Sequence, residues 1–517
     1  AYKNIFLTLY VCNLVIISKF LRLSLTHSLN LSSFNSKYAV ATTASLTIHV
    51  SLNASSFFFS QSPSMASFIS YNFFFIAVFF LSLQLHHCSP QYLKLPLLHK
   101  TPHPPAPAEA LSADRQRLSA LFSRHGGQRP KLPVTSAAAS GAGQYVVTIH
   151  LGTPPQRAVL VADTGSDLTW VSCSACRADC AATRTGYFFP RRSETFSPYH
   201  CFDSACKLVP RPEKTAHCNR TRLHSVCRYE YAYSDGSTTN GFFSHETVSF
   251  NTSGGGRLSE FRRLSFGCGF WNSGPSISGP SFNGADGVLG LGRGPISIVS
   301  QLGKEFGHKF SYCLMDYSLA PSPTSYLLIG GASGNGVAGR GKLSYTPLLV
   351  NPLSPTFYYV KIENVLVEDV KLRISPSVWS IDDFGNGGTV LDSGTTLTFL
   401  AAPAYRKILA AFERRVMLPR SAAGPGSGSD LCLNVSGISR ARLPRLSFKL
   451  SGGSVFSPPP RNYFIDAADG VKCLALQPAA AETGFSVLGN LIQQGYTFEF
   501  DRDRSRLGFT RHGCAVP

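Results

Sequence analysis

Val161-Ala162-Asp163-Thr164-Gly165-Ser166 and Val390-Leu391-Asp392-Ser393-Gly394-Thr395 are two versions of one pattern. Each sets an aspartate between two apolar residues and a hydroxyl-glycine pair, and no other Asp-[Ser/Thr]-Gly triplet occurs in the 517 residues. The echo runs on, since Leu168-Thr169-Trp170 after the first copy is answered by Leu397-Thr398-Phe399 after the second. A repeated carboxylate in matched surroundings implies two related lobes, each delivering one aspartate to a shared site.

The residue types suit that site. Two carboxylates within hydrogen-bonding distance cannot both ionise at ordinary cost, so one pKa falls, the other rises, and the pair holds one proton. A water between them can lose a proton to one member and attack an amide carbonyl. The other member protonates the developing oxyanion and, after proton shuffling, the leaving nitrogen follows as amine. Gly165 and Gly394 allow backbone N–H groups to approach the carboxylates closely. Thr164 and Ser393 can each donate a hydroxyl to backbone of the opposite loop and hold the aspartates in register.

With its surroundings, the pair resembles the pepsin-like aspartic proteases, and more narrowly their plant nepenthesin-type branch, over about residues 141 to 517. Gln144-Tyr145-Val146-Val147 leading to Leu151-Gly152-Thr153-Pro154-Pro155-Gln156 resembles the family's first strand and turn. Tyr231-Ala232-Tyr233-Ser234-Asp235-Gly236-Ser237 resembles the hairpin flap that closes over substrate, with Tyr233 as flap tyrosine and Trp170 as its hydrogen-bonding tryptophan. Asp286-Gly287-Val288-Leu289-Gly290-Leu291-Gly292 and Ser486-Val487-Leu488-Gly489-Asn490 look like the strands crossing beneath each active loop, and Ser166 and Thr395 match the hydroxyls beside the two aspartates. The resemblance implies a mainly β, bilobal, pepsin-like fold with the site in the cleft between two pseudo-two-fold-related lobes. It implies an aspartic endopeptidase with Asp163 and Asp392 catalytic, needing no cofactor or metal and acting as a monomer on an extended peptide or protein substrate.

Each motif has a plainer reading. Asp followed closely by Gly is most often a surface turn, Tyr233 can be an ordinary strand aromatic, and Trp170 can be simple core. Gly334-Asn335-Gly336-Val337-Ala338-Gly339 satisfies a dinucleotide fingerprint, but Lys342-Leu343-Ser344-Tyr345 then returns to strand alternation, which favours a glycine-rich connection over a phosphate cradle. A different class also remains: a catalytically inactive inhibitor or binding protein on the same scaffold.

Short apolar runs rich in Val, Tyr, Phe and Thr, broken by turn residues, predict mostly β structure. Pro295 to Leu302 and Ala402 to Val416 are the helix candidates. The lobes are expected at 141–340 and 341–517. Ahead of them, Leu111-Ser112-Ala113-Asp114-Arg115-Gln116-Arg117-Leu118 has helical spacing within Pro-, Ala- and Ser-rich flanks, so 90–140 reads as a propeptide that could block the cleft, with a plain linker as the alternative. Met65 is the first methionine, and Phe73-Phe74-Phe75-Ile76-Ala77-Val78-Phe79-Phe80-Leu81 has signal-peptide length, so 65–89 reads as a cleaved signal, a membrane anchor being the rival. Residues 1–64 read as an upstream or non-native extension. The expected address is secreted (extracellular, apoplast or cell wall), with vacuole or plastid as alternatives, and no stable membrane anchor.

The net charge of +19 needs the same dissection. Residues 1 to 140 hold eleven Lys/Arg and two Asp/Glu, leaving 37 basic against 27 acidic residues, or +10, for the rest. No basic run is interleaved with aromatics, which argues against nucleic-acid binding. Twelve cysteines from Cys173 to Cys514 fit an oxidising compartment. Cys173-x2-Cys176-x3-Cys180 has no second knuckle, so it is not read as a zinc site. The resemblance implies the disulfides Cys173–Cys176, Cys180–Cys268, Cys201–Cys227, Cys206–Cys218, Cys313–Cys514 and Cys432–Cys473. Asn219, Asn251 and Asn434 lie in glycosylation sequons.

Overall fold

The computed structural model describes residues 92–99, 114 and 144–511, apart from 175–185, 213–217, 219–224, 234–236, 252–257, 275–276, 278–284, 317–324, 331–341, 422–427, 439 and 480–484. Every described residue belongs to the unit Leu85–Pro517. The extension, the expected signal peptide, most of the expected propeptide, the Gly334–Gly339 stretch, Cys176, Cys180, Cys514 and Asn219 lie outside the described residues, as does the side chain of Asn251.

Strands dominate the two lobes. A fourteen-stranded sheet starts in the second lobe at Ser344–Pro347 and passes through Arg506–Arg511 and Tyr496–Asp501 to Lys309–Cys313 and Ser325–Gly330 of the first. It then takes in Tyr92–His99 and continues as the first lobe's own strands from Tyr145–Leu151 onward. Phe310 and Phe500, on paired strands, stack at 4.6 Å and bind the lobes through their shared sheet. Tyr92–His99 comes from the segment expected to be a propeptide, yet its Leu93, Leu95 and Leu97 are all buried. Their alternation puts three leucines on one face, so this strand is built into the core.

Each lobe repeats one device around its aspartate. Gln156–Asp163 runs parallel to Gly287–Gly290, and Trp170–Ser172 returns antiparallel along that strand's other side. In the second lobe, Thr389–Leu391 runs parallel to Ser486–Leu488, and Thr398–Leu400 returns along its far edge. The aspartate loop therefore arches over the end of a crossing strand in both lobes. The arch is tight: a Cβ on Gly290 would lie 2.4 Å from the Asp167 carbonyl oxygen, and one on Gly489 2.0 Å from that of Leu397.

Helices are few. Ile298–Gln301 and Gly303–Phe306 follow the first crossing strand, within and just beyond the candidate at Pro295 to Leu302. Ala402–Glu413 buries Ala404, Tyr405, Ile408, Ala411 and Phe412 on one face, the 3.6-residue period of a helix against a core. It ends three residues short of Val416, although Val416 N still donates to the Phe412 carbonyl at 2.9 Å.

The disulfides correct three of the expected pairings and exclude a fourth. Cys173 pairs with Cys268, not with Cys176, and so Cys268 is not available to Cys180. The reason is register: Val171 lies opposite Cys268 and the Cys173 N–H donates to the Gly269 carbonyl, bringing the two Cα atoms to 5.6 Å. Cys206 pairs with Cys227 and Cys201 with Cys218, instead of Cys201–Cys227 and Cys206–Cys218. Burial sorts them, because Cys206 and Cys227 both sit in the core beneath the flap strand while Cys201 and Cys218 are half-exposed. Cys432 and Cys473 are joined across paired strands, and Cys313 is disulfide-bonded.

Candidate active site

Gln156–Asp163 ends in six consecutive buried residues, so the strand carries Asp163 into the interior with no exposure. A carboxylate there needs donors to offset lost hydration. Gly165 N donates to Asp163 Oδ1 at 3.0 Å and Ser166 Oγ to Oδ2 at 2.6 Å. Asp392 has the same set, from Gly394 N at 2.9 Å and Thr395 Oγ1 at 2.7 Å. The glycine of each triplet and the hydroxyl residue after it thus turn their donors onto the triplet's own aspartate.

The remaining hydroxyl of each triplet reaches across the cleft. Thr164 N donates to Ser393 Oγ at 3.1 Å, and Ser393 N donates to Thr164 Oγ1 at 2.9 Å. The hydroxyls then donate onward, Thr164 Oγ1 to the Leu391 carbonyl at 3.3 Å and Ser393 Oγ to the Ala162 carbonyl at 2.9 Å. Four reciprocal bonds tie the loops next to their aspartates, 229 residues apart in sequence. Rotation of one loop against the other would break several buried bonds together.

Tyr233 is buried and its hydroxyl accepts a short hydrogen bond from Trp170 Nε1. The rings meet edge to face at 6.5 Å, and Tyr231 stands 5.6 Å from Tyr233. Tyr233 N donates to the Ser237 carbonyl at 2.7 Å, the closing rung of a hairpin whose tip lies outside the described residues. Tyr233→Phe should leave the buried indole N–H without this acceptor, costing about 1–3 kcal/mol of stability. Thermal denaturation together with turnover of a peptide substrate checks this, the expectation being reduced but surviving turnover.

Several residues at the site have no role that the sequence patterns assign. Asn490 Nδ2 donates to the Ser393 carbonyl at 3.1 Å and its N–H to the Thr395 carbonyl at 2.7 Å, bracing the second loop from the crossing strand. Asp114 is fully buried, its Oδ2 accepting from Leu397 N at 2.6 Å and its Oδ1 from Thr396 N at 3.3 Å. That carboxylate comes from the expected propeptide and docks beside the second aspartate loop. Asp167 follows the first triplet after Ser166 and is buried with it. A second acid between the uncharged Ser166 and Leu168 was the available signal for Asp167; an acid in a stretch whose other charges are Arg115 and Arg117 was the signal for Asp114.

Asn434 is exposed at a strand end, as a glycan acceptor requires. Among the described residues, one group, His200, Cys201 and Cys218, brings metal-ligand types together, but its two sulfurs form a disulfide and offer no thiolate. Also among the described residues, no helix is long and apolar enough to cross a membrane.

Comparison with known proteins follows the same outline. A family profile described as "Xylanase inhibitor N-terminal" matches residues 145–331, and one described as "Xylanase inhibitor C-terminal" matches residues 357–511. Aspartyl protease family protein 2 of Arabidopsis thaliana is 36% identical over 385 residues, covering 74% of this chain and 73% of the relative. Aspartic proteinase nepenthesin-1 of Nepenthes gracilis is 34% identical over 403 residues, covering 78% and 84%. Among solved structures, basic 7S globulin from soybean aligns over 82% of this chain and 97% of that one, with a TM-score of 0.57 and 18% identity. A likeness at that identity speaks to the fold alone.

Proposed function

Because the chain belongs to the pepsin-like aspartic protease family, we propose that it is a secreted aspartic endopeptidase that hydrolyses peptide bonds at acidic pH through Asp163 and Asp392. The observation that carries the reading is the reciprocal grip of Thr164 and Ser393, which brings the two aspartate loops together. In this reading Ser166 and Thr395 each hold one carboxylate oxygen, and a water between the aspartates gives a proton to one as it attacks the scissile carbonyl. The other aspartate protonates the oxyanion, the proton taken from water passes to the nitrogen, and the amine departs as the C–N bond breaks. Tyr233 closes over the substrate from the flap, its hydroxyl steadied by Trp170. An inactive binding scaffold would have no need of two matched carboxylates each with its own pair of donors.

The propeptide fits as a restraint released by acid. The Asp114 carboxylate binds the Thr396 and Leu397 N–H groups next to the Asp392 loop. An ionised carboxylate accepts such bonds more strongly than its protonated form, so acidification loosens the segment.

The test is to express the full chain through a secretory pathway, acidify it and follow cleavage of a denatured protein with and without pepstatin, beside Asp163→Asn. Acid-dependent, pepstatin-sensitive cleavage absent from the variant is expected; a folded, disulfide-bonded protein inert at every pH would overturn the reading. In the same assay Asp114→Ala should begin cleaving at higher pH than the unaltered chain, and an unchanged onset would remove Asp114 from the restraint.

A further inference from the structure

Asp167 has a set of contacts that the two-aspartate chemistry does not use. Its Oδ1 accepts from Gly294 N at 2.7 Å and its Oδ2 from Thr356 Oγ1 at 2.7 Å. Its own N–H donates to the Tyr231 hydroxyl at 3.4 Å, on the strand leading into the flap. Three parts of the molecule therefore meet at a residue four positions after Asp163: the turn beyond the first crossing strand, the second lobe, and the base of the flap.

The segment it grips is shaped to receive it. A Cβ on Gly292 would fall 2.3 Å from Asp167 Oδ1, and one on Gly294 2.2 Å from Oδ2, so Gly290-Leu291-Gly292-Arg293-Gly294 is glycine-rich where this carboxylate presses on it. The same segment binds the aspartate loop, Leu291 N donating to the Asp163 carbonyl at 2.8 Å and Gly292 N to the Ser166 carbonyl at 2.8 Å. It is also fastened to the second lobe. Arg293 N donates to the Thr356 carbonyl at 3.0 Å, the Tyr358 hydroxyl to the Leu291 carbonyl at 2.7 Å, and Arg502 Nη2 to the Arg293 carbonyl at 2.7 Å.

The second lobe has no counterpart. Thr396 stands at the position equivalent to Asp167, and among the described residues the carboxylate bonded to its N–H is that of Asp114, from the propeptide. The first loop carries its clamp permanently.

Resting on the protease reading above, we propose that Asp167 is a positioning residue for catalysis: it fastens the loop bearing Asp163 to Thr356 of the second lobe and to the flap base, so that dyad geometry and lobe approach are set together. Neutral donors supply both carboxylate bonds. The charged and titratable groups around it are Asp163 on its own loop, Tyr231 on the flap strand, Arg293 on the turn, Tyr358 on the second lobe's strand, and Arg502. Burial, more than any neighbour, lifts the Asp167 carboxyl above the usual carboxylate range, against the pull of Thr356, Gly294 and Arg502. The folded state thus binds this proton more readily than the unfolded chain, and its contribution to stability declines as pH rises through that range.

The experiment compares Asp167→Asn, Thr356→Val and Thr356→Ser in the full chain, reading kcat and KM for one peptide across pH, with thermal denaturation alongside. Asn keeps the shape and can still accept from Gly294 N, but its Nδ2 cannot accept the proton that Thr356 Oγ1 donates, so the fastening to the second lobe is weakened along with the loss of charge. Asp167→Asn should lower kcat by about 10- to 100-fold with KM within about twofold, because a displaced loop misplaces the reacting groups and not the distant substrate contacts. Because burial keeps Asp167 protonated at the acidic end, Asp167→Asn removes a negative charge only at the alkaline limb, which should move to lower pH while the acidic limb stays, and its melting temperature relative to the unaltered chain should rise from pH 3 towards pH 7. Thr356→Val should lower kcat without moving the limbs, and Thr356→Ser, which keeps the hydroxyl, should restore it. An Asp167→Asn protein with unaltered kcat and pH profile would overturn the inference, as would a loss of activity that only follows the loss of folded protein. If the unaltered chain itself cleaves nothing, the protease reading fails first; if it cleaves and Asp167→Asn matches it, this inference fails alone.

Discussion

Asp392→Asn and Asp163→Asn should each lower kcat by at least about 10³-fold, the scale seen when one member of a catalytic unit is removed. An amide can neither take a proton from the attacking water nor return one to the leaving nitrogen. The fold should survive, because the Asn oxygen can still accept from Gly394 N or Gly165 N, and the amide can donate to the Thr395 or Ser166 hydroxyl in place of the bond lost. The measurement is turnover of a peptide at acidic pH with circular dichroism and thermal melting on the same samples. Either variant retaining near-normal turnover would overturn the assignment of the pair.

Gly489→Ala is expected to have the second-largest effect, and for a reason far from proton transfer. The new methyl would lie 2.0 Å from the Leu397 carbonyl oxygen and 2.7 Å from the Thr396 carbonyl oxygen, both backbone atoms that cannot swing aside. The crossing strand has to move off the loop, taking Asn490 and its two bonds to Ser393 and Thr395 with it. Overpacking of this kind costs about 1–3 kcal/mol or more. A shift of about 1 Å at Asp392 costs about 10²-fold in turnover. Melting temperature and kcat should fall together. Gly437→Ala, at an exposed turn with open space at its Cβ, serves as the control: its positive φ costs some stability, but turnover should hold.

Much of the arch around each aspartate was legible because its parts are local. A triplet, an apolar strand before it and an apolar-apolar-Gly strand after it are all short patterns, and the repetition argues for two lobes by itself. What was not legible depends on contacts between distant segments. Tyr92–His99 reads as part of a detachable segment by composition, yet it completes a sheet, pairing with Ser325–Gly330 through residues 92 to 97 and with Tyr145–Leu151 through Leu98 and His99. Asp167 was skipped in a motif whose neighbours were all read, since nothing near it in sequence says that its partners are Gly294 and Thr356, 127 and 189 residues away.

The sequence by itself determined the strand-rich class, the duplication and the residue types that meet in the cleft, since alternation, turn residues and a repeated motif are properties of neighbouring positions. Only the tertiary structure decided the cysteine pairings, the place of the Asp114 carboxylate and the clamp at Asp167. A disulfide needs two Cα atoms within about 7 Å of each other, and a buried carboxylate needs donors aimed at it. Strand register and burial supply both, and neither is written in the spacing of residues along the chain.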